Sequence, residues 1–315
     1  MIAEVIATYG RHLLLRDAVG TRYKARPVGR KLEIVCGDRV ECELIKGEVL
    51  VRSILPRATF LRRTNLRGRS EPFAANLTQI AVVLAPRPDP DLFLLDRYLA
   101  AAECAGLAGL IVANKNDLPG TSALLESLEA HARLGYRIVS ITTRAHEGRD
   151  AAAGIGPLRE ALRDATTILV GQSGVGKSSL TRMLCPDAAD IAIGELVREE
   201  EGRHTTTASH LYDCEGGGRL MDSPGVRDFA PAIDDLEPAT LGFREVAQLA
   251  PGCRFLDCQH LAEPGCAIRD AVASGGMDAR RYESYRRLRR LYEELWQQRP
   301  PHERAARARL THRPA

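Results

Sequence analysis

The sequence predicts a multidomain α/β protein: an N-terminal OB-type β-barrel, a mostly parallel sheet wrapped by helices, and a small cysteine-rich helical module at the C-terminal end. Three observations predict it. Residues 1–58 hold short alternating segments with no room for a helix of useful length, residues 79–184 alternate apolar runs with helical spacing, and three cysteines and a histidine crowd into residues 253–266. A chain of 315 residues is long enough for two or three such units.

In chain order, residues 3–8, 11–15, 22–25, 31–35, 39–45 and 48–54 are expected as six strands separated by glycine or charged turns. Barrels of this kind often bind RNA, and with only Tyr9, Tyr23 and Phe60 available for stacking, backbone and shape contacts are expected over base reading. Residues 56–77 show no periodicity and carry Arg57, Arg62, Arg63, Arg67 and Arg69, which reads as a linker that also touches phosphates or as a solvated loop. Strands are then expected at 79–85, 107–113, 136–141 and 167–170, with helices at 91–105, 122–133, 156–163 and 179–184. Apolar strands between helices imply a sheet covered on both faces, with ligands at the carboxyl ends of its strands.

Two motifs sit at such ends. Gly171, Gln172, Ser173, Gly174, Val175, Gly176, Lys177, Ser178 and Ser179 (GQSGVGKSS) follow an apolar strand and open a helix. Backbone N–H groups of that turn point at phosphate oxygens, Lys177 reaches the terminal phosphates and the Ser178 hydroxyl ligates Mg²⁺. Asn114, Lys115, Asn116 and Asp117 (NKND) follow another strand. The Asp117 carboxylate accepts from the N1–H and exocyclic amine that guanine has and adenine lacks, with Asn114 and Lys115 in support. Together they specify a guanine nucleoside triphosphate. NKND stands 57 residues before Gly171, the reverse of the usual order, which a circular permutation of the domain explains because domain termini often lie close together.

Further on, Cys253, Cys258, His260 and Cys266 have the spacing C-x4-C-x-H-x5-C and suit a closed, structural Zn²⁺ site. The remaining five cysteines are scattered singly. Residues 278–297 read as a helix with Tyr282, Tyr285, Leu288, Leu291, Tyr292 and Leu295 on one side and arginines on the other, and the basic tail beyond is expected to be disordered. Residues 1–75 hold 15 Lys/Arg against 8 Asp/Glu and residues 276–315 hold 11 Arg against 5, so basic ends flank an acidic middle and point to a polyanion such as RNA. With no apolar run near ~20 residues and no leader pattern, a cytoplasmic protein without membrane contact is expected.

At this point the order of motifs, the barrel and the cysteine spacing resemble the ribosome small subunit-dependent GTPase A family (RsgA, also YjeQ/EngC), circularly permuted P-loop GTPases, over nearly the whole chain. The resemblance implies an OB barrel at 1–70, a permuted GTPase domain at 71–235, a zinc-binding module at 236–300 and a tail at 301–315. It implies a switch in Gly202 to Thr207 (GRHTTT), where Thr205 or Thr206 closes on Mg²⁺, and a DxxG motif in which Asp222 holds Mg²⁺ through water and Gly225 senses the γ-phosphate. Val226 stands where many GTPases carry a water-orienting glutamine, and His204 is the candidate to replace it, against the reading of a merely structural histidine. Ser140 matches the family's base-covering loop, but the residues after it (TTRAHEGRDAAAGIG) are longer than that pattern. The activity implied is GTP hydrolysis on the small ribosomal subunit and its rRNA, late in assembly, by a monomer. Two rivals are a GTPase acting on another RNA or the large subunit, and a zinc-stabilised RNA-binding protein that holds GTP as a structural ligand.

Overall fold

The computed structural model describes residues 1–10, 12–29, 32–64, 70–144, 154–186, 209–222 and 231–301. The barrel has five strands: β1 (Ile2–Tyr9), β2 (His12–Arg16), β3 (Arg22–Pro27), β4 (Arg39–Ile45) and β5 (Glu48–Ile54). They pair in the order β1-β2-β3-β5-β4, and β4 returns to β1 with Ala3 opposite Val40, closing the barrel. Alternation turns Val5, Leu15, Val40 and Val51 inward, where each is fully buried. The sixth strand expected at 31–35 does not form among the described residues. There the backbone is taken by Asp38, whose carboxylate accepts from the Val35 N–H at 2.8 Å, while Ile34 packs against the barrel core.

The expected linker at 56–77 is instead a hairpin, β6 (Phe60–Thr64) and β7 (Ser70–Ala75), with Leu61 and Phe73 buried beneath it. Three arginines of this stretch have partners: Arg57, just before the hairpin, donates to the buried Asp38 at 2.7 Å, Arg62 to Ser70 at 2.7 Å and Arg63 to Glu71 at 2.7 Å. Each of those three thus has a partner within the fold, and Arg67 and Arg69 lie outside the described residues.

The central sheet comprises β8 (Gln79–Leu84), β9 (Ala108–Ala113), β10 (Arg137–Ser140), β11 (Thr166–Val170), β12 (Ser209–Asp213) and β13 (Arg219–Asp222). Its order is β10-β9-β8-β11-β13-β12, parallel except for β12. Strand β8 shows why it reads as a continuous apolar run: Ile80, Val82 and Leu84 face one core with α1 (Leu92–Cys104), while Ala81 and Val83 face another with α4 (Gly156–Leu162) and α5 (Lys177–Leu184). Asp91 caps α1, accepting from Leu94 N–H at 2.9 Å. The single helix expected at 122–133 is broken at Leu128 into α2 (Thr121–Ser127) and α3 (Glu129–Arg133). The sheet does not stop at β12, because Ala7 and Thr8 of β1 pair antiparallel with His210 and Ser209.

Helices α6 (Arg244–Leu249), α7 (Ala267–Ala273) and α8 (Ala279–Gln297) form the C-terminal module around Phe243, Ile268, Tyr285 and Leu288. The buried stripe of α8 includes Tyr285, Leu288 and Tyr292 as expected, but Arg281 and Arg289 lie within it too, whereas Tyr282, Leu291 and Leu295 are only partly covered. Arg281, 2% exposed, forks onto Glu245 (Nη2 to Oε2, 2.9 Å) and onto Asp96 of α1 (Nη1 to Oδ1, 2.6 Å). Asp96 also takes Arg280 at 2.7 Å and the Nε2 of His131 at 2.8 Å. Burial pushes the Asp96 carboxyl up, but the His131 bond and the two guanidinium groups outweigh it and hold it down at about 2. Burial lowers His131 below its ordinary value, against the pull of the Asp96 hydrogen bond. This ionic cluster joins the module to the sheet's helical layer.

Candidate nucleotide site and cysteine cluster

Strand β11 is buried along its length and delivers the chain to Gly171 at the carboxyl edge of the sheet. Gly171 has φ +134, and a Cβ there would lie 2.2 Å from the Val83 carbonyl oxygen. Gly176, the N-cap of α5, has φ +103, and a Cβ would lie 2.4 Å from the Asn114 amide nitrogen. Only glycine serves at either place, for both torsion and space. Helix α5 begins at Lys177, two residues before the start expected from sequence, so Ser178 is exposed on its first turn, where backbone N–H groups have no partner within the helix. The Lys177 ammonium donates to the Gly171 and Gln172 carbonyls at 2.7 Å each, curled over the loop it would share with phosphates.

NKND is clamped to this loop. Asn114, 1% exposed, donates its amide to the Val175 carbonyl at 2.8 Å, and Lys115, at φ +60, donates to the Gly174 carbonyl at 2.6 Å and to that of Arg87 at 3.0 Å. Asn114 thus holds the loop through its amide nitrogen. Asp117 has an 11% exposed side chain, accepts from the Thr142 hydroxyl at 2.6 Å and lies 3.9 Å from Arg144. Ser140 lies 3.4 Å from the Asn116 amide, and the Asn116 N–H donates to the Ile141 carbonyl at 3.0 Å, so the segment after β10 supports NKND from behind.

Sequence reasoning missed two contributors. Thr142 orients the Asp117 carboxylate, and residues 86–91 (PRPDPD) brace the loop through Gln172, which accepts from Asp91 N–H at 2.9 Å and donates to the Asp89 carbonyl at 3.2 Å. Three prolines between β8 and α1, at a carboxyl end, were the available signal. Asp222 ends β13, which runs parallel to β11 with Met221 opposite Ile168, so it reaches the same edge as the phosphate loop. His204, Thr205, Thr206, Gly225 and Val226 lie outside the described residues.

Cys253, Cys258, His260 and Cys266 converge, with their ligand atoms all within 4.8 Å of one another. His260, in the left-handed region at φ 62, turns Nδ1 to within 3.4 Å of Cys253 Sγ and 3.6 Å of Cys266 Sγ. Glu263 ties the intervening turn by accepting from the N–H groups of Gln259, Leu261 and Ala262 at 2.8–2.9 Å, while Tyr282 and Tyr285 donate to the carbonyls of His260 and Gln259. Burial works against the Glu263 charge, but those N–H bonds hold the carboxyl at about 2. Three sulfurs and one imidazole nitrogen, with no carboxylate among them, are a donor set that can hold a metal ion.

A family model described as RsgA GTPase matches residues 54–231. The small ribosomal subunit biogenesis GTPase RsgA of Chromohalobacter salexigens is 42% identical over 259 residues, 81% of this chain and 74% of its own. The protein of that name from Neisseria meningitidis serogroup B is 38% identical over 282 residues, 89% of this chain and 88% of its own. Among solved structures, YjeQ from Thermotoga maritima superposes with a TM-score of 0.71 at 27% identity, covering 95% of this chain and 99% of that one. YloQ, a circularly permuted GTPase, gives 0.68 at 24% identity over 95% and 96%, a likeness of fold.

Proposed function

The chain belongs to the RsgA GTPase family, and from that premise we propose that it hydrolyses GTP on the small ribosomal subunit and assists that subunit's late maturation. The observation that carries the nucleotide chemistry is the clamp between two motifs 57 residues apart, Asn114 to Val175 and Lys115 to Gly174. It puts a guanine reader against a phosphate cradle. Asp117 reads the base, the loop from Gly171 to Ser179 cradles the phosphates, and Lys177 leaves its carbonyls for the terminal phosphates. Ser178, Thr205 or Thr206, and Asp222 through water would hold Mg²⁺, which would supply positive charge to the phosphates, and Gly225 would meet the γ-phosphate. His204 positions the attacking water, a task the apolar Val226 cannot perform. The barrel (1–70), nucleotide domain (71–235) and zinc module (236–300) are the working units, with the β6–β7 hairpin spanning the first boundary. The protein acts as a cytoplasmic monomer. Among the described residues no helix is long and apolar enough to cross a membrane.

With Val226 at the place of the water-orienting glutamine, intrinsic turnover is slow and the subunit completes the site. GTP turnover is therefore expected to rise at least about tenfold with isolated small subunits and to be unmoved by large ones. Equal stimulation by both would overturn the assignment, and stimulated turnover no faster than that of Lys177→Ala would favour GTP as a structural ligand.

We assign the Cys253–Cys258–His260–Cys266 cluster to one structural Zn²⁺. Cys266→Ser is expected to reduce bound zinc, measured by atomic absorption, from one per chain to near zero and to raise amide exchange across 253–297, because metal binding and local folding are one equilibrium. Unchanged zinc content would refute the assignment. GTP affinity should change less than about threefold, since these residues lie outside the nucleotide site.

A further inference from the structure

Two cysteines outside the metal cluster are not isolated in space. Cys185 caps the end of α5, the helix behind the phosphate loop, and Cys214 follows β12; their sulfurs are 3.1 Å apart. The backbone keeps them there: Glu215 N–H donates to the Leu184 carbonyl at 3.0 Å, Cys185 N–H to that of Thr181 at 2.9 Å, and Cys214 N–H to that of Gly218 at 3.0 Å. Cys185 is fully buried, whereas Cys214 is partly exposed. A disulfide requires the sulfurs to close by about 1 Å, to ~2.05 Å.

We propose that Cys185 and Cys214 are a reversible dithiol–disulfide site, oxidised by small-molecule disulfides, whose bond fastens the end of α5 to the β12–β13 hairpin. The roles of the two sulfurs differ. A hydrogen bond from the Cys185 thiol draws Cys214 below its usual value, and the same bond, with burial, pushes Cys185 up. Cys214, the partly exposed sulfur, is the one a reagent in solvent reaches and is the attacking thiolate, and the buried Cys185 is the resolving thiol. Cys214 attacks one sulfur of glutathione disulfide, forming a mixed disulfide and releasing one glutathione thiol. Cys185 then loses its proton and attacks the Cys214 sulfur, releasing the second. Two protein thiols are oxidised to one disulfide, and one glutathione disulfide is reduced to two thiols. In sequence the bond brackets residues 186–213, which include His204, Thr205 and Thr206. The bond would close that stretch covalently at its two ends, and slower hydrolysis is the expected consequence of oxidation; this consequence rests on the GTPase reading above.

The test uses the full-length, zinc-loaded protein with glutathione disulfide. Intact mass is expected to fall by two hydrogens, with peptides containing Cys185 and Cys214 joined and zinc retained. Cys185→Ser should stop at a glutathione adduct on Cys214, and Cys214→Ser should acquire none at Cys185. Free thiols at both positions after treatment, equal adduct formation in Cys214→Ser, or a bond formed only with zinc release would overturn the site. Subunit-stimulated turnover should drop at least threefold on oxidation and recover with dithiothreitol, whereas Cys214→Ser stays unaffected by oxidant. A mapped bond with unchanged turnover would overturn the coupling to hydrolysis. No GTP turnover in the reduced protein would sink the GTPase reading and leave the thiol mapping to stand alone.

Discussion

Asp117→Asn is expected to weaken GTP binding by about 10²–10³-fold, equivalent to ~3–4 kcal/mol, and to improve binding of xanthosine triphosphate. The carboxylate offers two acceptors to the two adjacent donors of guanine. An asparagine turns one of them into an NH₂ that faces a donor, and in a pocket where the side chain is only 11% exposed water cannot repair the mismatch. Xanthine carries a carbonyl where guanine carries its amine, so the variant complements it. The fold should be spared: the asparagine oxygen can still accept from the Thr142 hydroxyl, which lies 2.6 Å from the present carboxylate. Titration calorimetry with both nucleotides checks this. GTP affinity within about threefold of the parent would remove Asp117 from base recognition.

The second large effect concerns stability. Arg281→Met should lower stability by about 3–5 kcal/mol, because Glu245 is then left as a buried, unpaired carboxylate while Asp96 keeps only Arg280 and His131. Replacing the pair together, Arg281→Met with Glu245→Leu, should recover much of the loss, since apolar groups of similar volume do not need the missing partner. Urea denaturation followed at Trp296, whose ring lies against Tyr292 in the same module, reads both. A double variant as unstable as the single one would show that packing, and not the orphaned charge, sets the cost.

The cluster also fixes the sign of the acid response. His131 lies below its ordinary 6.5, so its contribution is present above that value and falls as the unfolded chain takes up the proton first. Asp96, held at about 2 against an ordinary 3.8, contributes above about 4 and loses its share as pH falls toward 2. Stability should therefore decline in two steps on acidification, and His131→Gln should flatten only the first.

What was legible in the sequence was whatever a local pattern dictates. Strands β4, β5 and β8 alternate or run apolar, and Gly171, Gly176, NKND and the cysteine spacing are fixed by torsions and donor types that few other residues satisfy. What was hidden depends on partners far along the chain. Arg281 read as a solvated face because Asp96, the group that justifies burying it, lies 185 residues away. The hairpin at 60–75 carries no alternation of its own, since its buried residues are Leu61 on one strand and the consecutive Phe73, Ala74 and Ala75 on the other, with arginines bonded to Ser70 and Glu71 beside them. Residues 31–35 had the alternation and no partner strand, so among them the described backbone bonds to Asp38.

The pairing of Ala7 with His210 and Thr8 with Ser209 gives the barrel a second occupation. Without it, β12 would be a bare margin, a row of unpaired N–H and C=O groups ready to template another chain. Arg16 to Asp213 and Arg219 to Glu4 fasten the same seam with charge. The barrel is thus a hem on the nucleotide sheet and cannot be unstitched from it freely. A fragment starting after residue 77 should bind guanine nucleotide poorly and self-associate through β12, whatever affinity for RNA it has lost.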